Sequence, residues 1–209
     1  MDKISKKNKM IKKRIKALIN KFAKHNVDGY VIPKNDEFFS EYSANDRLKT
    51  ISNFSGSAGY SIILKKKNFL FVDGRYTIQA EKESGNYFKI INYQKIVNCD
   101  LFKNLTLGFD PKIFTSEQIK KFFKKYNNVK IIEQNLVDQI YKKKRISVKP
   151  FFSLEDKIVG EDYKKKILKI KKFLNKNNSN YIFISAPENV AWLLNIRGWD
   201  NPNSPIPNV

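Results

Sequence analysis

The chain has 209 residues, 41% of them hydrophobic and 13% aromatic, and a formal net charge of +21 at pH 7. That length suits one large domain or two small ones, and that apolar fraction excludes a wholly disordered chain. The 41 basic residues include only five arginines, Arg14, Arg47, Arg75, Arg145 and Arg197. A specific reader of phosphates and bases favours the bidentate arginine fork, so nucleic acid is an unfavoured partner and runs such as Lys164-Lys165-Lys166 read as solvated helix faces.

From the N-terminus, Ile4, Ile11, Ile15, Leu18, Ile19 and Phe22 recur at helical spacing, predicting an amphipathic helix over residues 3–25 with its lysines outward. Its apolar residues come singly, which makes neither a secretory signal nor a membrane span; a basic amphipathic arm stays open. Val27 to Pro33 predicts a turn and a short buried strand stopped by proline. A small-residue turn, Ser55-Gly56-Ser57-Ala58-Gly59, precedes strands at Tyr60–Leu64 and Phe69–Val72, joined by a hairpin turn at Lys65–Asn68. A helix over Tyr76–Ser84, strands at Tyr87–Asn92 and Leu105–Phe109, a helix opened by the capping box at Thr115 and Gln118, and a strand at Val129–Ile132 follow. This alternation predicts an α/β fold, a mixed sheet flanked by helices, over residues 1–140. Residues 141–159, with Pro150, read as a linker. Residues 160–209 then give an amphipathic helix through Tyr163, Ile167, Ile170, Phe173 and Leu174, a buried strand Tyr181–Ile184 and a helix from Pro187 to Leu194. The second region repeats the opening order of the first and then stops, so it reads as the incomplete start of a second domain.

The residue inventory restricts chemistry. His25 is the single histidine, so a Ser-His-Asp triad or a histidine-rich zinc site has nothing else to use. It sits at the end of the first helix, where a partial positive charge is favoured. Ser55–Gly59 is not Gly-x-Ser-x-Gly, and it lacks the Gly-Lys-Ser/Thr ending of a phosphate loop; its small residues suit a close approach of backbones. Asp36 and Glu37 stand at a strand end where a cation could bind, but no second cluster is tied to them by spacing. With Glu41, Asp46, Glu155, Asp156, Glu161 and Asp162, they read as solvated caps and turns. Cys99 is the single cysteine; it allows no intrachain disulfide, fits a reducing cytoplasm, and has no basic neighbour to activate it, which makes it structural.

Three segments, "DEFFSEYSANDRLKTISNFSGSAGYSIIL", "FVDGRYTIQAE" and "PENVAWLLNIRGWDNPNSPIP", resemble in order and spacing the N-terminal part of Xaa-Pro aminopeptidases of the three-domain type. The resemblance runs from about residue 10 to 209 and is carried by Gly56, Ser57, Gly59, Asp73, Gly74, Arg75, Tyr76, Trp192, Arg197 and Gly198. It implies a creatinase/prolidase N-terminal-like domain followed by the start of a second of the same fold. In the family these precede a catalytic domain that binds two divalent metals, usually manganese, and removes an N-terminal residue preceding proline. None of that metal site maps onto these residues. The resemblance therefore implies a non-catalytic portion of such an enzyme, with no cofactor of its own. Its partners would be the missing catalytic domain, a further copy of the chain and peptide substrates, and its compartment the cytoplasm. A stand-alone creatinase-like module that binds peptides without cleaving them is the alternative, and a lysine-driven nucleic-acid binder a further one. For Arg75 two readings stay open: a partner for Asp73 at a helix start, or a contact for peptide or for the catalytic domain. Gly74 would supply a turn that a Cβ obstructs.

Overall fold

The computed structural model describes residues 3–40, 45–98, 100–141, 149–200 and 204–207. The expectations for Cys99, Glu41 and Arg145 lie outside these residues. The chain divides into two compact units between Lys144 and Arg145.

In the first unit, α1 (Lys3–Ile19) and α2 (Phe22–His25) come as two helices rather than one. Ile11, Ile15, Leu18 and Phe22 are buried on one face, as their spacing predicts. Then come β1 (Gly29–Pro33), α3 (Arg47–Ser52), β2 (Gly59–Leu64), β3 (Asn68–Val72), α4 (Thr77–Ser84), β4 (Lys89–Asn92) and β5 (Thr106–Phe109). The unit closes with α5 (Ser116–Ile119), continued by a π-helical turn over Lys120–Lys124, then β6 (Asn128–Ile131) and α6 (Leu136–Ile140). The capping box forms: Thr115 Oγ1 accepts from the Gln118 amide at 3.1 Å, and Gln118 Oε1 accepts from the Thr115 amide at 2.9 Å.

One six-stranded sheet organises the unit in the order β4-β3-β2-β1-β5-β6. β1 runs antiparallel to β2 (Val31 opposite Ile62) and parallel to β5, β2 antiparallel to β3, and the outer pairs are parallel. The sheet is therefore mixed. Period-two alternation divides its apolar residues between two cores. Tyr30, Ile32, Ile63, Leu70 and Val72 face α1, α3 and α6, while Val31, Ile62, Phe69, Phe71 and Leu107 face the aromatic layer of Phe102, Phe114 and Phe123. All five residues of β1 are buried, as suits a central strand covered on both faces.

The second unit holds β7 (Phe152–Ser153), α7 (Asp156–Val159), α8 (Tyr163–Lys176), α9 (Pro187–Leu194) and β8 (Ile196–Arg197). β7 pairs antiparallel with β8, Phe152 opposite Arg197, so the stretch expected as a linker carries structure. Tyr181–Ile184 is not a buried strand: Tyr181 and Phe183 are each 91% exposed, and the segment has no strand pairing among the described residues. A β-strand is stable only beside a neighbour that takes up its backbone groups, and hydrophobicity alone does not supply one. The expected solvation of Lys164-Lys165-Lys166 also fails at its third member. Lys166 is 4% exposed; its ammonium donates to Trp192 O at 2.7 Å and Asn195 Oδ1 at 2.6 Å, and lies 4.2 Å from the centre of the Trp192 ring. It caps the end of α9, whose free carbonyls favour a cation. Among the described residues no helix is long and apolar enough to cross a membrane.

Candidate functional site

The carboxyl ends of β1 and β3 and the amino end of β2 meet at one rim of the sheet, which gathers seven of the residues singled out in the sequence. Asp73 follows β3 and caps the short 3-10 turn Gly74–Tyr76. Its Oδ1 accepts from the Arg75 amide at 3.0 Å and from Arg75 Nε at 2.9 Å, while Arg75 Nη2 reaches Oδ2 at 3.4 Å. These donors hold the Asp73 carboxyl below the usual aspartate range. The Asp73 partnership expected of Arg75 at a helix start is thus formed, with the arginine side chain 76% exposed.

Tyr76 connects this corner to the small-residue loop. Its hydroxyl lies 2.9 Å from Ser57 Oγ, its ring packs edge-on against Phe54 at 5.9 Å, and the Arg75 guanidinium lies 5.6 Å from the ring centre. The loop is tied to α4 as well. Glu83 accepts from the Ser55 amide at 2.7 Å and the Ser55 hydroxyl at 2.6 Å, and Gln79 Nε2 donates to Ser55 Oγ at 2.9 Å. Gly56 and Gly59 are there for room: a Cβ on Gly56 would lie 2.3 Å from Phe54 Cζ, and one on Gly59 2.8 Å from the Phe71 carbonyl oxygen. Gly74 is different. Its φ is not positive, and its Cβ would meet only Asn92 Nδ2, at an ordinary 3.6 Å. The turn therefore does not require glycine, against expectation. A cleft of about 280 Å³ opens beside this corner, lined by Lys34, Phe39, Gly59, Tyr60, Asp73 and Tyr93.

Trp192, Arg197 and Gly198 all belong to the second unit. Arg197 Nη1 donates to the Ile196 carbonyl at 2.8 Å, and a Cβ on Gly198 would come within 2.8 Å of Pro207 Cβ.

The remaining candidates are occupied elsewhere. Asp36 Oδ1 accepts from the amides of Phe38 and Ser40, both at 3.0 Å, and Glu37 pairs with Arg47 at 2.6 Å. Among the described residues no three His, Cys, Asp or Glu side chains converge as metal ligands would, so the residues present do not fit a dinuclear centre. His25 departs from expectation. Its Nε2 is buried without a hydrogen-bond partner, and burial together with Lys24, Lys130 and Lys21 pushes its pKa down, so the neutral imidazole is favoured. Sequence reasoning missed Arg47, 4% exposed, which holds Glu37 and, at 2.8 Å, Asp138, and it missed the buried Lys34 that pairs with Asp46. The scarcity of arginine was a signal for Arg47; nothing local pointed to its partners.

Comparison with known proteins places this geometry. Residues 14–140 match the model of the creatinase/prolidase N-terminal domain, and residues 141–208 match a second model of the same description. The chain belongs to the creatinase/prolidase N-terminal domain family. It is 32% identical over 210 residues to a probable Xaa-Pro aminopeptidase P of Coprinopsis cinerea, covering 93% of this chain and 34% of that protein. The probable Xaa-Pro aminopeptidase P of Laccaria bicolor is 31% identical, with 92% and 33% covered. The crystal structure of X-prolyl aminopeptidase from Caenorhabditis elegans, described as a cytosolic enzyme with a di-nuclear active site, superposes with a TM-score of 0.83 at 26% identity. That match covers 94% of this chain and 36% of the worm enzyme. The chain thus corresponds to the N-terminal part of Xaa-Pro aminopeptidases and spans about a third of the length of the curated relatives it matches.

Proposed function

We propose that the chain is the non-catalytic N-terminal portion of a cytoplasmic Xaa-Pro aminopeptidase. Residues 1–140 act as one creatinase-like domain, and the residues after them are the beginning of a second, which already includes β7 and α7 of the stretch expected as a linker. The observation that supports this most directly is the likeness to the worm enzyme, which runs through both units over 94% of the chain. Hydrolysis in this reading belongs to a catalytic domain outside these residues, where two divalent metals, manganese in the family's usual form, activate the attacking water. What these residues contribute is binding and shape. Arg75 presents a forked cation at the sheet rim, suited to a peptide carboxylate or carbonyl or to the surface of the catalytic domain. Association of copies of the chain would set how far a polypeptide can enter.

The test is manganese-supplemented release of alanine from Ala-Pro-Ala by the purified 209-residue chain. Release no faster than in buffer is expected; robust turnover that follows the chain through purification overturns the reading.

A further inference from the structure

An arginine three-quarters exposed is ordinarily mobile, because fixing its long side chain costs rotamer freedom. Arg75 is instead approached by two successive layers. Asp73 takes its backbone amide, Nε and Nη2, and the Tyr76 ring stands beside the guanidinium. Tyr76 in turn is fixed at both ends: its hydroxyl meets Ser57 Oγ at 2.9 Å and its ring packs on Phe54. The loop carrying Ser57 is itself anchored to α4 through Ser55, Glu83 and Gln79. An arginine that only paired with its neighbouring aspartate would need none of the second layer.

We propose that Ser57 and Tyr76 are positioning residues for Arg75: the Ser57–Tyr76 hydrogen bond holds the aromatic ring that, with Asp73, fixes the direction in which the guanidinium is presented. The small-residue loop and the Asp73–Tyr76 corner then form one device, 16 residues apart in sequence from Ser57 to Asp73 and joined through a single phenol. Its use rests on the reading of Arg75 as a peptide or domain contact; its existence does not. Without the Ser57 contact the Tyr76 ring is held by its packing on Phe54 alone, and its bearing on the guanidinium loosens.

The experiment follows arginine Nε–Hε resonances in the 15N-labelled chain, with Arg75 identified by its loss in Arg75→Lys. Exchange of the Arg75 Nε proton with water is expected to quicken about two- to tenfold in both Ser57→Ala and Tyr76→Phe, the range that one lost hydrogen bond allows. Ser57→Thr, which keeps the hydroxyl, is expected to exchange like the parent. The Arg47 Nε proton, bonded to Asp138 at 2.9 Å, serves as internal control and should not move. Unchanged Arg75 exchange in both variants, an Arg47 signal that quickens in step, or a threonine variant behaving like alanine would each overturn the proposal. Titration with Ala-Pro-Ala tests the underlying reading separately. A shift of the Arg75 resonance supports a peptide contact, whereas no shift alongside the exchange effect removes that contact and leaves the positioning in place.

Discussion

Two glycines from the same rim behave oppositely, although the sequence presents them alike. At Gly59 an added methyl group would press on a carbonyl of the neighbouring strand, which can yield only if β2 and β3 separate. Gly59→Ala is therefore expected to cost about 1–3 kcal/mol in urea unfolding. At Gly74 the added methyl meets ordinary contact and the backbone is already suited to alanine. Gly74→Ala should be neutral or raise stability by about 0.4–1 kcal/mol, because it restricts the unfolded chain. Nothing local distinguishes the two; the difference lies in which backbone passes by. His25 illustrates the same limit, since its placement at a helix end was legible while the burial of its Nε2 was not. Its lowered pKa means that the unfolded chain takes up a proton near the ordinary value of 6.5 and the folded chain only at lower pH. Between those points the unfolded state binds more protons, so stability falls as pH drops below about 6.5. Chemical denaturation measured from pH 7.5 to 5 should show that decline in the parent chain and a flatter profile in His25→Gln.

At the scale of elements, amphipathic periodicity and turn chemistry were legible: the buried face of α1, the hairpin at Lys65–Asn68 and the capping box at Thr115 all follow from local spacing. Where pairing decides, they were not. Tyr181–Ile184 is as apolar as β1, but β1 lies between β2 and β5, whereas no strand flanks Tyr181–Ile184 among the described residues. Likewise the ion pairs of Arg47 reach across 10 and 91 positions of sequence, beyond any local motif. The run Lys164-Lys165-Lys166 conceals a buried member because Lys166 falls on the apolar stripe, three residues after Tyr163 and four before Ile170. Lys166→Ala removes the donor that closes the end of α9, and it should lower the stability of the second unit by about 1–3 kcal/mol. Both tryptophans, Trp192 and Trp199, lie in that unit, so fluorescence-monitored unfolding reports it separately; far-ultraviolet circular dichroism should show the first unit unchanged.

For the whole molecule, the two units differ in how they treat apolar residues. The first encloses them in two cores on either side of one sheet. The second leaves Phe151, Phe173, Tyr181, Phe183 and Trp192 each more than half exposed. Limited chymotrypsin digestion is therefore expected to cut after Tyr181 or Phe183 well before any site in the first unit; equal rates would contradict the exposed, unpaired state of that segment. The family resemblance was legible because its motifs carry backbone constraints, as at Gly56 and Gly59. The role of Arg75 was not, since a surface cation reveals its purpose only through what approaches it.

The position of β1 bears finally on how the first unit assembles. Its antiparallel partner arrives within a few tens of residues, but its parallel partner pairs Gly29 with Leu107, 78 positions away. Loop closure over that distance comes late, after the compact meander of β1, β2 and β3 can form. During that interval the far side of β1, an apolar stretch of Gly-Tyr-Val-Ile-Pro, is an open edge, ready to accept any strand that reaches it first. The yield of native protein should thus depend on concentration during refolding, because another chain competes with β5 for the same seat.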